Sequence, residues 1–116
     1  MKLILKEGKK EIGVVRNPFE KVISDYYTSL NYIGFDKWIS KETPEYQTLL
    51  YKDCDYIIRL EAWERDLKDL DLTPEDTSIL ERIKVVYDWK SWYTLRTRTI
   101  IAQLYHNDIT TYGYTY

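Results

Sequence analysis

One histidine and one cysteine in 116 residues remove much chemistry before any motif is sought. With His106 alone, no site that needs two imidazoles can form, and with Cys54 alone there is neither a disulfide framework nor a Cys-rich zinc site. Three prolines and four glycines are too few for a disordered or low-complexity chain. No apolar run approaches transmembrane length, and the N-terminus lacks the apolar segment of a signal peptide. The net charge of −2, with both signs interspersed, makes no field for nucleic acid or an anionic membrane. The expectation is a soluble, cytoplasmic chain with no nucleic-acid and no membrane partner.

What is abundant is aromatic. Twelve Tyr, four Trp and two Phe make up 16% of the chain, and each ring buries a large area, so few residues suffice for a core. Core filling is a better reading of these rings than a sugar-stacking platform. The length suits a single domain, residues 1–116, with one core and a small sheet.

"KLIL" (2–5) and "EIGVV" (11–15) read as two strands around the basic, Gly-containing turn "KEGKK" (6–10). The five-residue connection forces them antiparallel. Asn17 then stands as a helix cap, Pro18 at the first helical position and Glu20 three residues after the cap. Phe19, Val22, Ile23, Tyr26, Tyr27 and Leu30 recur at helical spacing, and the helix should end near Asn31 with Gly34 beyond it. "FDKWIS" (35–40) and "PEYQTLLYK" (44–52) each suit a short helix. "DYIIRL" (55–60) reads as a buried strand, parallel to 11–15 by a right-handed crossover. "AWERDLKDL" (62–70) places Trp63, Leu67 and Leu70 on one helical face, and Thr73-Pro74 signals a further helix start. "RIKVVYDWKSWY" (82–93) either continues that helix or runs extended. From Thr94 a helix runs to about Asp108, with Leu95, Ile101, Leu104 and Tyr105 buried, before the aromatic tail "TTYGYTY". The expected fold is α/β, a small and mainly parallel sheet flanked by helices.

Ordinary catalytic patterns are thin. His106 reads as an exposed surface residue near a helix end, and no carboxylate spacing singles out an acid–base pair or a metal cage. "DLDLTPED" lacks the central glycine and terminal glutamate of a calcium loop. Arg96 and Arg98, two apart on a helix, point in different directions as solvated charges.

"VVRNPFEKVISDYY" (14–27) resembles the 3′-phosphate-binding segment of the sulfotransferase superfamily, the carbohydrate sulfotransferases above all. There the pattern is a strand, then Arg-x-Pro-(Phe/Tyr)-x-Arg, two apolar residues, Ser and an aromatic. "DYIIRLEAWERDL" (55–67) is similar to the family's second strand and its following helix. "WKSWYTLRTRTIIAQLYHNDITTYGYTY" (89–116) is similar to its C-terminal helix, which ends in Tyr-x-x-Asp-(Ile/Phe)-x-x-(Phe/Tyr)-Gly-Tyr. The resemblance implies a reduced P-loop-like sulfotransferase fold with a donor site for 3′-phosphoadenosine 5′-phosphosulfate, or the product 3′,5′-adenosine bisphosphate, and no metal. It places Arg16 on the 3′-phosphate and Ser24 as a donor to the same group. The motif's second arginine is Lys21 here, which loses a bidentate fork.

Independently of the family, Arg16 follows a strand's C-terminal end, where ligands bind in open α/β sheets, and the next helix opens with unpaired amides. The competing reading pairs Arg16 with Glu20 or Glu61 and makes Ser24 a small packing residue. The chain also departs from the family. Only fifteen residues precede Arg16, with no Gly-Thr or Gly-Ser turn to hold the phosphosulfate, and the family's usual acid or base from the intervening region is absent too. No catalytic residue is therefore assigned, and the isolated chain is expected not to transfer sulfate. Three alternatives stand: a nucleotide-binding domain completed by another chain or a second copy, a non-catalytic structural or interaction module on the same scaffold, or a fragment of a longer reading frame.

Overall fold

The computed structural model of the chain describes residues 1–4, 10–29, 33–41, 44–66, 74–83 and 88–116. Its elements, in order, are β1 (Lys2–Ile4), β2 (Glu11–Val15), α1 (Pro18–Thr28), α2 (Phe35–Lys41), α3 (Gln47–Leu50), β3 (Tyr56–Arg59), α4 (Trp63–Asp66), α5 (Pro74–Ile83), α6 (Leu95–Leu104) and α7 (His106–Tyr112). Leu60–Ala62 and Lys90–Trp92 are 3₁₀ turns. Two compact units result: Met1–Arg16 with Leu49–Tyr87, and Asn17–Thr48 with Asp88–Tyr116.

The first unit holds a three-stranded sheet in the order β1-β2-β3. β1 runs antiparallel to β2, and β3 runs parallel to it, as the connection lengths require. The expected mainly parallel sheet is thereby corrected. Of its two pairings one is antiparallel, and the fold is mixed α/β with three strands and, among the described residues, seven helices. Leu3 sits opposite Ile12, Ile12 opposite Tyr56, and Val14 opposite Ile58. Side chains alternate along a strand, so this register gathers one apolar face. Leu3, Ile12, Val14 and Ile58 form a buried cluster with Leu60, Trp63 and Leu80, and Tyr56 packs against it.

β3 is an edge strand among the described residues, and the buried strand expected over 55–60 is only half so. Ile58 is buried while its neighbour Ile57 stays 38% exposed, and Leu60 reaches the core from a 3₁₀ turn. Asp55 fastens the start of the parallel pair: its amide donates to the Glu11 carbonyl (2.9 Å) and its carboxylate accepts from the Glu11 amide (2.8 Å). At the strand's other end Asp66 Oδ2 accepts from the Arg59 amide at 2.9 Å.

Gly13, in the middle of β2, is required by close approach. A Cβ there would lie 2.8 Å from Tyr51 Cβ and 2.9 Å from Ile57 Cδ1. Tyr51 is buried and its Cβ is tied to the backbone, so it cannot swing away. Gly13→Ala is expected to destabilise the chain by about 1–3 kcal/mol through overpacking. The denaturant midpoint reads this directly; an unchanged midpoint would mean that the Tyr51 backbone yields.

In the second unit α1 buries Pro18, Phe19, Val22 and Ile23, the face its spacing predicts. Tyr26 lies among rings, 5.5 Å from Phe35 and 5.4 Å from Trp38, whereas Tyr27 is mostly exposed. α1 stops at Thr28, earlier than Asn31, with Ser29 as its C-cap, whose amide is shared between the Asp25 and Tyr26 carbonyls; Leu30 and Asn31 lie outside the described residues. Gly34 takes the positive φ (87°) that glycine tolerates. Of the segment 82–93, residues 82 and 83 continue α5, 84–87 lie outside the described residues, and 88–93 are irregular around the 3₁₀ turn Lys90–Trp92. So do Leu67, Leu70 and Thr73.

The single helix expected from Thr94 is two. Thr94 and Thr97 form a reciprocal cap at the start of α6, the Thr94 amide donating to Thr97 Oγ1 (2.9 Å) and the Thr97 amide to Thr94 Oγ1 (3.2 Å). Ile101 and Tyr105 are buried as expected, but Leu95, at the first helical position, is 80% exposed. Tyr105 leaves helical geometry (φ −105°, ψ 24°) and α7 restarts behind it. α7 continues past Asp108 to Tyr112, where Gly113 turns left-handed (φ 71°) and the Tyr114 amide returns to the Ile109 carbonyl. Among the described residues no helix is long and apolar enough to cross a membrane.

Candidate functional site

Arg16 directly follows β2 and is the last residue of the first unit's opening segment; it is half-buried. Ser24 belongs to the second unit. It sits within α1, also half-buried, seven residues past Asn17. The local pattern read from the sequence is present in each unit: a strand delivering Arg16 in one, and in the other a helix with Pro18 at its start and Ser24 nearly two turns in.

The first turn of α1 differs from the expected row of unpaired amides. Pro18 has no N–H. The Phe19 amide donates to Asn17 Oδ1 at 3.1 Å, and the Lys21 amide to the Asn17 carbonyl at 2.8 Å. Asn17 thus caps its own helix, and an anion must displace a carboxamide to reach the Phe19 amide. Lys21, the second basic residue of the motif, is committed elsewhere. Its ammonium is 2.8 Å from Asp25 Oδ2 and 3.6 Å from Glu45 Oε1, and its side chain is only 13% exposed.

Sequence reasoning missed the C-terminal tail. The same Asn17 donates from Nδ2 to the Thr115 carbonyl at 3.0 Å. Tyr116 packs edge-on to Phe19 (5.2 Å between centroids), Trp89 (5.5 Å) and Tyr93 (5.8 Å). Its hydroxyl donates to the Lys90 carbonyl at 3.2 Å. Arg98 is exposed, as expected, and its guanidinium carbon lies 3.9 Å from the Tyr116 ring centroid, with Lys90 Nζ 5.2 Å from it. Cations over ring faces are attracted by the ring quadrupole. Nothing in local spacing signals a contact between positions 17 and 115. Arg96, by contrast, makes only a long, exposed pair with Asp36 (4.0 Å).

The remaining candidates do not converge on a reaction. His106 opens α7 and is exposed. Burial pushes the Cys54 thiol up, with Lys2 pulling partly the other way, so the thiolate is disfavoured. Among the described residues no three His, Cys, Asp or Glu side chains gather as a metal site would need. The conspicuous buried carboxylate is Asp108, within the stretch similar to Tyr-x-x-Asp, and it faces backbone rather than an opening. Its oxygens accept from the amides of Gln47 (2.8 Å) and Thr48 (3.0 Å). Compared with protein-family models, curated proteins and solved structures, the chain matches none of them.

Proposed function

We propose that the chain is a reduced sulfotransferase-like domain that binds 3′-phosphoadenosine 5′-phosphosulfate or 3′,5′-adenosine bisphosphate, with Arg16 and Ser24 holding the 3′-phosphate. The observation that carries this reading is the segment 14–27 itself. Its strand ends where the pattern needs Arg16, and its helix begins where the pattern needs Pro18 and carries Ser24. An arginine contact to phosphate is charge-assisted and stronger than a neutral hydrogen bond. A further chain completing the sheet would join at β1 or β3, since β2 is paired on both sides within this chain.

Titration with 3′,5′-adenosine bisphosphate tests this, because a ligand of the native state alone raises its stability by RT ln(1 + [L]/Kd). Arg16→Ala is expected to weaken binding by about 1.5–3 kcal/mol, and Arg16→Lys to recover part of it. A variant without Arg16 that binds as tightly as wild type would remove the proposed site.

One observation favours a second reading, a non-catalytic interaction module on the same scaffold. The Phe19 amide and the Lys21 ammonium are both already engaged inside the unit. Under that reading no adenine nucleotide raises the melting temperature.

A further inference from the structure

We propose that residues 113–116 form a latch on the first turn of α1, held and released through Asn17; its ligand-driven opening rests on the nucleotide reading above. One carboxamide makes both bonds, Oδ1 accepting from the Phe19 amide and Nδ2 donating to the Thr115 carbonyl. The chemistry fixes its orientation, since an amide donor must face the oxygen and a carbonyl must face the NH₂ group. The group is planar, so turning Oδ1 away from Phe19 also turns Nδ2 away from Thr115. An anion that takes the Phe19 amide therefore breaks the tether to the tail.

The rest of the latch suits release. Thr115 is exposed and Tyr116 half-buried, so the segment lies outside the buried core. Gly113, in its left-handed turn, stands at the hinge. Tyr116 stands beside two exposed cations, Lys90 and Arg98, and against the ring of Phe19, and opening takes its ring away from all three. A phosphorylated nucleotide is the class of ligand that uses an exposed amide and cations together. The closed latch thus competes with the ligand.

Two measurements test this in the full chain. The first follows the Tyr116 ring protons by NMR, whose shifts in the closed state carry the ring currents of Phe19, Trp89 and Tyr93. Asn17→Asp keeps the acceptor for the Phe19 amide but loses the donor to Thr115, so the Tyr116 signals are expected to move toward random-coil positions without any ligand. Saturating 3′,5′-adenosine bisphosphate is expected to move them the same way in wild type. The second measures affinity: Tyr116→Ala is expected to bind the bisphosphate about three- to tenfold more tightly, the worth of roughly one net hydrogen bond. Tyr116 signals unmoved in Asn17→Asp, or in saturated wild type, overturn the latch, as does an unchanged affinity in Tyr116→Ala. If neither wild type nor Tyr116→Ala binds the bisphosphate, the nucleotide reading falls and the ligand-driven opening with it. Binding with an undisturbed tail removes the latch alone.

Discussion

Replacing Asp108 by Ala is expected to cost the fold on the order of 2–5 kcal/mol, because two amides lose their acceptor at once. The Asp108 side chain is completely buried. One carboxylate oxygen accepts from the Gln47 amide at 2.8 Å and the other from the Thr48 amide at 3.0 Å. These are the opening amides of α3, a four-residue helix too short to stand by itself. Asp108 acts as a cap for it from sixty residues away, a distance at which no local capping signal exists. A buried, unsatisfied donor costs about 1–3 kcal/mol, and here there are two. Asp108→Asn keeps one acceptor and turns a donor toward the other amide, so it recovers only part of the loss. Chemical denaturation of the three proteins measures the ranking. Wild-type stability in Asp108→Asn would mean that the negative charge and its second acceptor are dispensable.

Between pH 10 and 12 the wild type is expected to lose about 2–3 kcal/mol that Tyr105→Phe does not lose. Burial pushes the Tyr105 hydroxyl up to about 12, a backbone hydrogen bond from Glu45 pulls partly back, and Asp25, Tyr46 and Asp108 add to the rise. The phenol is thus held neutral in the folded chain past the pH at which the unfolded chain ionises. Its contribution is fully present below pH 10, the ordinary value, and fades as pH climbs through about 12. The other tyrosines ionise in the same range, so the difference between wild type and Tyr105→Phe isolates this one. Urea midpoints measured at pH 9, 10, 11 and 12 give that difference. Parallel pH profiles for the two proteins would show that Tyr105 ionises as freely in the folded chain as in the unfolded one.

Both residues lie in "YHNDITTYGY", which the sequence presents as the end of one helix and an aromatic tail. What they do there was not legible in it. Tyr105 ends one helix and Asp108 binds the start of another, and neither fact leaves a trace in periodicity. α6 and α7 share one helical rhythm, so the break at Tyr105 is invisible to it.

Where a signal is local, the sequence by itself determined the outcome. Asn17-Pro18 opens α1 because a cap and a preset φ act within a turn. The short apolar run over 11–15 made a strand, and loop length set its directions of pairing: a short connection permits only the antiparallel neighbour, a long one permits the parallel. Where partners are distant in the chain, only the tertiary structure decided. The need for glycine at position 13 exists only because the fold presses Tyr51 against it. Arg98 reads as a solvated charge and is exposed, but only the fold brings Tyr116 to its guanidinium. Asn17 reads as a local helix cap, and only the fold shows the same carboxamide also holding the Thr115 carbonyl. Local backbone preferences act over three or four residues, which a sequence displays. Packing and polar pairing depend on which surfaces the folded backbone brings within a few ångströms, and that exists only once the chain has folded.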